Sequence, residues 1–228
     1  MPLWKQWKCC GLAAQIGKRL VMSSNEASGY PVQFSVDYPE ERLDRLSSAL
    51  RIFYAIPILI VISLIVAAFS QDGEGGGAAA GILVLPTIVM ILFRQKYPRW
   101  WFDWNLAFLR FSNRIGAYVL LLRDEYPSTD EEQAVHLEMS YPDAENDLNR
   151  WMPLVKWLLA IPHYIVLLFL FIGVFFAVIV AWFAILFTGK YPRGIFDFVV
   201  GVMRWENRVV GYSLALVTDQ YPPFSLSE

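Results

Sequence analysis

The sequence predicts an α-helical integral membrane protein with a small antiparallel β-sheet, built from two tandem repeats. The first reason is composition, since 56% of the 228 residues are hydrophobic and they are concentrated in long uncharged runs. The second is repetition: FRQKYPRWWFDW at 93–104 returns as FTGKYPRGIFDF at 187–198. We expect each repeat to contain a strand, a helix, a transmembrane hairpin, an interfacial helix and a closing strand, which gives four transmembrane helices.

The uncharged runs define the predicted spans. Residues 52–69 and 78–93 predict the first hairpin, while 157–188 is longer than the ~20 residues that cross a bilayer and is divided at Gly173. The second hairpin is therefore predicted at about 155–171 and 173–188. The predicted organisation is an N-terminal extension at 1–29, repeat 1 at 30–127, a linker at 128–134, repeat 2 at 135–224 and a tail at 225–228.

Short strands are predicted at the two ends of each repeat. Val32, Phe34 and Val36 alternate with polar residues, and 136–142 repeats this pattern, as expected of half-buried strands. Charged helical stretches follow, at 40–51 and 143–156. The closing strands are predicted at 118–127 and 212–222, and we expect all four strands to form one sheet because an isolated pair is marginal.

The distribution of basic residues predicts the orientation. No Lys or Arg lies between Arg51 and Arg94, or between Lys156 and Lys190. Basic residues favour the cytoplasmic side of a membrane. We therefore expect a multi-pass protein of the bacterial inner membrane, with both termini and the sheet in the cytoplasm and the hairpin tips outside. The net charge of −2 gives no indication of a nucleic-acid partner.

A stripe of charged residues follows each Lys-Tyr-Pro motif. Asp103, Arg110 and Arg114 share one helix face, and the same stripe returns 94 residues later. The stripes have two interpretations: structural ion pairs, or two sites for anionic lipid headgroups. The candidate residues are Arg99, Asp103, Arg110, Asn113, Arg114, Arg193, Asp197, Arg204, Asn207 and Arg208. The predicted interfacial anchors are Trp100, Trp101, Trp104 and Trp205.

His163 is the ionisable residue inside the third apolar run. Ile58 occupies the corresponding position of the first repeat, so the histidine is not part of the repeated pattern. It is interpreted as a hydrogen-bonded histidine near the membrane interface, with contact to a cofactor or lipid headgroup, or a proton-linked role, as alternatives. We find no catalytic residues and no metal-ligand spacing, and expect no cofactor; a membrane enzyme using His163 is the remaining enzymatic alternative.

Several motifs together resemble a known family. They are Val-x-Tyr-Pro at 36–39, Ala-Ile-Pro at 160–162, Lys-Tyr-Pro at 190–192, Arg-x-x-Asn-Arg at 204–208 and Tyr-Pro-Pro-Phe at 221–224. The pattern is similar to domain-of-unknown-function family 4389, a family of bacterial membrane proteins. The resemblance covers about 30–224 and is better in the second repeat. It implies a membrane location and a duplicated architecture, and it implies no activity.

These observations predict a non-enzymatic function. The uniformly apolar runs and the large aromatic content favour an accessory, scaffold or assembly subunit of a larger bacterial membrane protein complex. The alternative is an anionic-lipid-binding or lipid-translocating protein that uses the arginine stripes. The expected partners are membrane lipids and a larger membrane protein complex, with no nucleic acid.

Overall fold

The computed structural model describes residues 30–40, 43–68, 87–129, 131–145 and 147–227. A helical segment at 87–94 lies just before Tyr97-Pro98. The other elements are β1 Val32–Val36, α1 Arg45–Ala68, α2 Arg99–Val119, β2 Val135–Met139, α3 Met152–Leu159, α4 Ile161–Thr188 and α5 Arg193–Ser213.

Strands β1 and β2 form an antiparallel pair with Phe34 opposite Leu137 and Ser35 opposite His136. The alternating burial along both strands confirms the predicted period of two. The predicted closing strands at 118–127 and 212–222 are wrong, because helices α2 and α5 continue to Val119 and Ser213 and irregular chain follows. The predicted helix at 143–156 is also shorter, since α3 begins at Met152.

The third apolar run is not a hairpin. Gly173 lies inside α4, which is continuous from Ile161 to Thr188 and ends at a left-handed Gly189 with φ of 72°. A glycine within a helix costs only about 1 kcal/mol relative to alanine, so it does not force a turn. A Cβ at Gly173 would lie 3.4 Å from Cζ of Phe198, so the Phe198 ring of α5 lies against α4 at this residue.

The predicted four spans in two repeats are therefore wrong. In the described part of the chain, one helical stretch is long and apolar enough to cross a membrane, Met152–Thr188, whose most apolar 18-residue window has a mean hydropathy of 3.1. That criterion rests on length and composition. The predicted first span, 52–69, falls largely in α1, and most of the predicted second span, 78–93, lies outside the described residues.

The elements pack in layers that position the charged motifs. Helix α5 contacts both β1 and α4, so it lies between the sheet and the most apolar helix. Helix α2 packs on β2, and α1 contacts both α2 and α4. Helix α2 follows β1 in the chain and packs on β2, whereas α5 follows β2 and packs on β1.

Candidate functional site

The two asparagines of the Arg-x-x-Asn-Arg motifs meet where α2 and α5 pack together. Asn113 Nδ2 donates to Asn207 Oδ1 and Asn207 Nδ2 donates to Asn113 Oδ1, both at 2.7 Å. Each Nδ2 also donates to the carbonyl four residues earlier, that of Leu109 or Met203, at 2.8 Å. Both side chains are buried, so this reciprocal pair satisfies amides that would be costly to leave unpartnered.

The first arginine of each motif binds the sheet. Arg110 Nε donates to the carbonyl of Leu137 at 2.9 Å, and Arg204 Nε donates to that of Phe34 at 2.9 Å. Leu137 and Phe34 are directly opposite each other in the sheet. The two arginines therefore hold one cross-strand pair from two helices, which is a structural role for the most prominent charges of the stripes.

The second arginine of each motif binds the chain that follows its helix. Arg114 Nη1 donates to the carbonyl of Ser128 at 2.6 Å. Arg208 donates to the carbonyls of Ser225 and Ser227, at 3.4 and 2.9 Å. These contacts fix the segments after the Tyr-Pro motifs at 126–127 and 221–222 against the helices.

The arginines that follow the Lys-Tyr-Pro motifs lie over tyrosine rings. The guanidinium of Arg193 is 4.4 Å from the ring centroid of Tyr38, and that of Arg99 is 5.5 Å from the ring of Tyr141. Both arginines are exposed at their outer sides. Asp103 and Asp197 are also exposed, and neither forms any of the salt bridges seen among the described residues.

Two buried cations were not predicted as site residues. Lys156 is 0% exposed, and its Nζ lies 2.7 Å from Asp219 Oδ1 and donates to the carbonyl of Thr218 at 2.7 Å. Arg51 is 2% exposed and pairs with Asp124. Asp124 also accepts from the backbone N–H of Asp44, just before α1, at 2.8 Å, and Asp219 accepts from that of Asn149, shortly before α3, at 2.6 Å. The sequence signal for these two ion pairs is the Asp that stands two residues before Tyr126-Pro127 and again two residues before Tyr221-Pro222.

Tyrosine hydroxyls form a second set of matched contacts that the sequence analysis did not anticipate. Tyr97 donates to the carbonyl of Ala215 at 2.7 Å, and Tyr191 donates to that of Leu120 at 3.5 Å. Burial raises the pKa of both tyrosines well above the ordinary value, so both hydroxyls stay protonated donors. Tyr141 in turn donates to the carbonyl of Tyr97.

His163 lies in a closed aromatic cluster, which we define as His163, Trp205, Tyr221 and Phe224. Trp205 Nε1 donates to His163 Nδ1 at 3.1 Å, and the Phe224 ring stacks on the imidazole with centroids 4.1 Å apart. The imidazole is 0% exposed, and its Nε2 has no hydrogen-bond partner within the described chain. Since Nδ1 accepts, Nε2 carries the proton of the neutral ring.

The predicted tryptophan anchors divide between surface and interior. Trp100 is 70% exposed, and Trp101 stacks on Trp104, which stacks on Phe108, at centroid distances of 5.4 and 5.6 Å. These four residues form an aromatic ladder on α2, with Trp100 and Trp104 exposed and Trp101 and Phe108 half-buried. Trp205, in contrast, is buried in the His163 cluster.

An open cleft of about 500 Å³ is lined by the residues of the first set of motifs that correspond in sequence to the His163 cluster. Ile58, Phe111, Tyr126 and Thr129 line it where the cluster has His163, Trp205, Tyr221 and Phe224. We call it the Ile58 cleft; its remaining lining residues are Pro57, Pro127, Ser128 and Glu131.

The geometry favours structural roles for most of the candidate residues. Among the described residues, no group of three His, Cys, Asp or Glu side chains could hold a metal ion. His163 and the arginine stripes are not brought into one site: the histidine contacts Trp205, and the arginines contact strands, loops and tyrosines.

No curated protein and no solved structure matches the chain. Residues 150–225 match a family model described as Domain of unknown function (DUF4389), and this segment contains α3, α4, α5 and the whole His163 cluster. For this part of the chain, the match supports the resemblance that the second set of motifs predicted.

Proposed function

We propose that this protein is a non-enzymatic accessory or assembly subunit of a larger membrane protein complex, held at the bacterial inner membrane with its sheet on the cytoplasmic side. The observation that carries the proposal is the exposure of α4. Only 17% of the most apolar window of Met152–Thr188 is buried inside the fold. The core helix of a soluble protein would be mostly buried, so this surface needs lipid or another protein.

The contacts of the charged motifs support a non-enzymatic role. Arg110 and Arg204 hold strand carbonyls, and Arg114 and Arg208 hold loop carbonyls. These four arginines thus hold backbone carbonyls of their own chain, which is a structural role. The aromatic ladder on α2 adds an exposed surface of a composition that is enriched at protein interfaces.

The test is mild detergent solubilisation of native membranes, followed by native gel electrophoresis and mass spectrometry. We expect comigration with a larger complex at a fixed stoichiometry. The double variant Trp100→Ala/Trp104→Ala should lose comigration, whereas Trp151→Ala should retain it. Trp151 is a matched control because it is 67% exposed, similar to Trp100, and lies outside the aromatic ladder.

Migration as a small species with bound anionic lipid would contradict the subunit proposal and favour lipid binding. The exposed arginines over tyrosine rings are the residues to test in that case. Loss of the lipid in Arg99→Gln/Arg193→Gln would then assign binding to these positions, since neither arginine holds the sheet.

A further inference from the structure

Helix α4 has one buried stripe and an apolar surface around the rest of its circumference. The buried residues are His163, Leu167, Val174, Ala181 and Ile185. At 1.5 Å per residue this stripe is about 33 Å long, which exceeds the ~30 Å hydrocarbon core of a bilayer. The opposite face is formed by exposed side chains at helical spacing, namely Ile165, Ile172, Ile179 and Phe183.

Helix α5 runs antiparallel along the first part of this stripe. Tyr164 donates to Ser213 Oγ at 2.8 Å, and farther along α4 Gly173 lies against Phe198. Helix α5 carries Asp197, which is exposed, and Arg204, which binds β1. The sheet and its charged surroundings therefore lie beside α4, on the far side of α5.

Polar groups also meet the last part of α4. Trp182 Nε1 donates to the carbonyl of Ser48 at 3.2 Å, and Arg45 Nη2 donates to the carbonyl of Phe187 at 3.3 Å. The start of α1 therefore lies against the end of α4. At the other end, Lys156 of α3 pairs with Asp219. Charged groups thus lie at both ends of α4 and, on α5, beside its first part.

If α4 were perpendicular to the membrane, α5 would enter the hydrocarbon beside it together with Asp197 and Arg204. Exposed charged residues rarely face lipid, whereas an amphipathic element can lie along the interface with its polar side in water. Residues 157–189 carry no charge, so the exposed face of α4 complements acyl chains along its whole length.

We propose that α4 lies in the plane of the membrane, with its buried stripe on α5 and its Ile165–Ile172–Ile179–Phe183 face in the acyl chains of one leaflet. The protein is then a monotopic protein at this helix, and α5 and the sheet form a layer on the aqueous side. This inference rests on the membrane location in the proposed function. It adds the orientation of the helix and identifies the bilayer as the occupant of its exposed face.

The test measures the membrane depth of one helix face in the full-length chain. Cys9 and Cys10 are replaced by serine, and single variants Ile165→Cys, Ile172→Cys, Ile179→Cys and Phe183→Cys carry a nitroxide label. The labelled proteins are reconstituted in vesicles of phosphatidylcholine and phosphatidylglycerol. Electron paramagnetic resonance power saturation with oxygen and with a water-soluble nickel chelate then gives the depth of each label. Glu138→Cys on exposed β2 provides the aqueous control.

The in-plane orientation predicts that all four labels lie at similar depths, within about the 10 Å diameter of a helix. A spanning helix predicts that the labels at positions 165 and 183 differ in depth by about 27 Å, from 18 residues at 1.5 Å each, with the middle labels near the bilayer centre. The second profile overturns the inference and leaves the membrane location intact. Failure of the reconstituted protein to float with vesicles overturns the membrane location itself.

Discussion

The His163 cluster and the Ile58 cleft occupy corresponding positions, yet one is filled and the other is open. In the cluster, Phe224 stacks on His163 and shields the imidazole from solvent. In the cleft, the position of Phe224 is taken by Thr129, and a space of about 500 Å³ remains. The two sets of motifs thus form similar hydrogen bonds to the backbone. Whether the surface beside them is filled or open depends on the residues that differ, His163 against Ile58 and Phe224 against Thr129.

The first test concerns the carboxylates that precede the two tyrosines of this comparison. Removing Asp219 leaves Lys156, which is 0% exposed, with the carbonyl of Thr218 as hydrogen-bond acceptor and with the Tyr212 ring, whose centroid is 5.3 Å from its Nζ. Breaking a buried ion pair from one side costs about 3–5 kcal/mol. Asp219→Ala should therefore lower the free energy of unfolding by about that much, measured by intrinsic tryptophan fluorescence during thermal unfolding in mild detergent.

The matched variant is Asp124→Ala, and its effect should be smaller. Arg51 keeps its hydrogen bonds to the carbonyls of Tyr118 and Arg123, at 3.0 and 2.7 Å, when the carboxylate is removed. We expect a loss of about 1.5–3 kcal/mol, the range for hydrogen bonds to charged groups. Equal losses in the two variants would show that the two buried cations are anchored equally well.

The second test removes the Phe224 ring from the His163 cluster. Phe224 is 54% exposed, so Phe224→Ala removes about half of a phenylalanine burial together with a ring stack. We expect a loss of about 1–2 kcal/mol, from burial and aromatic pairing together. In the same unfolding assay, Thr129→Ala serves as the control and should change the stability by less than about 0.5 kcal/mol. A negligible effect of Phe224→Ala would contradict a stabilising role for the Phe224 ring.

The third test adds an aromatic ring to the Ile58 cleft. Thr129→Phe places an aromatic ring where the corresponding residue stacks on His163. Ile58 and Phe111 line the cleft and offer apolar contacts to it. We expect stabilisation by about 0.5–1 kcal/mol, because cavity filling on a partly exposed surface gives part of a full burial. Unchanged or lower stability would show that the cleft cannot accept a ring in this position.

The local features of the fold could be predicted from sequence because they depend on local patterns. The alternation of Val32, Phe34 and Val36 gave the first strand, and Tyr97-Pro98 gave the start of α2 at Arg99. The spacing of Arg110 and Arg204 placed them on corresponding helix faces, where both bind the sheet. Each of these features is determined within one or two turns of chain.

The features that were missed depend on distant residues. Gly173 lies inside a continuous helix with the Phe198 ring of α5 against it, and nothing near the glycine in sequence indicates this contact. The pattern after Tyr118 was interpreted as a strand, but Leu121 adopts a left-handed φ of 65° after α2 ends, and Leu216 does the same at 57° after α5. The pairing of Lys156 with Asp219 joins residues 63 positions apart. Tertiary packing decides such contacts.

The last test uses Glu206, whose corresponding residue is Ser112. Both line a cleft of about 180 Å³ between α2 and α5. Burial raises the pKa of the Glu206 carboxyl above its ordinary value of about 4.3. As the pH rises above that value, the unfolded chain loses this proton while the folded protein keeps it. The wild type therefore loses stability until the folded pKa is passed.

Glu206→Gln carries no titrating proton at this position and avoids that loss. Its melting temperature relative to the wild type should rise between pH 4 and pH 7, by the smallest amount of the four tests. Ser112→Ala is the control, and its difference from the wild type should not change with pH. A relative melting temperature of Glu206→Gln that stays constant or falls with pH would mean that the carboxyl is ionised in the folded protein. Glu206 would then have to be solvated, and the two sides of the cleft would differ in water access.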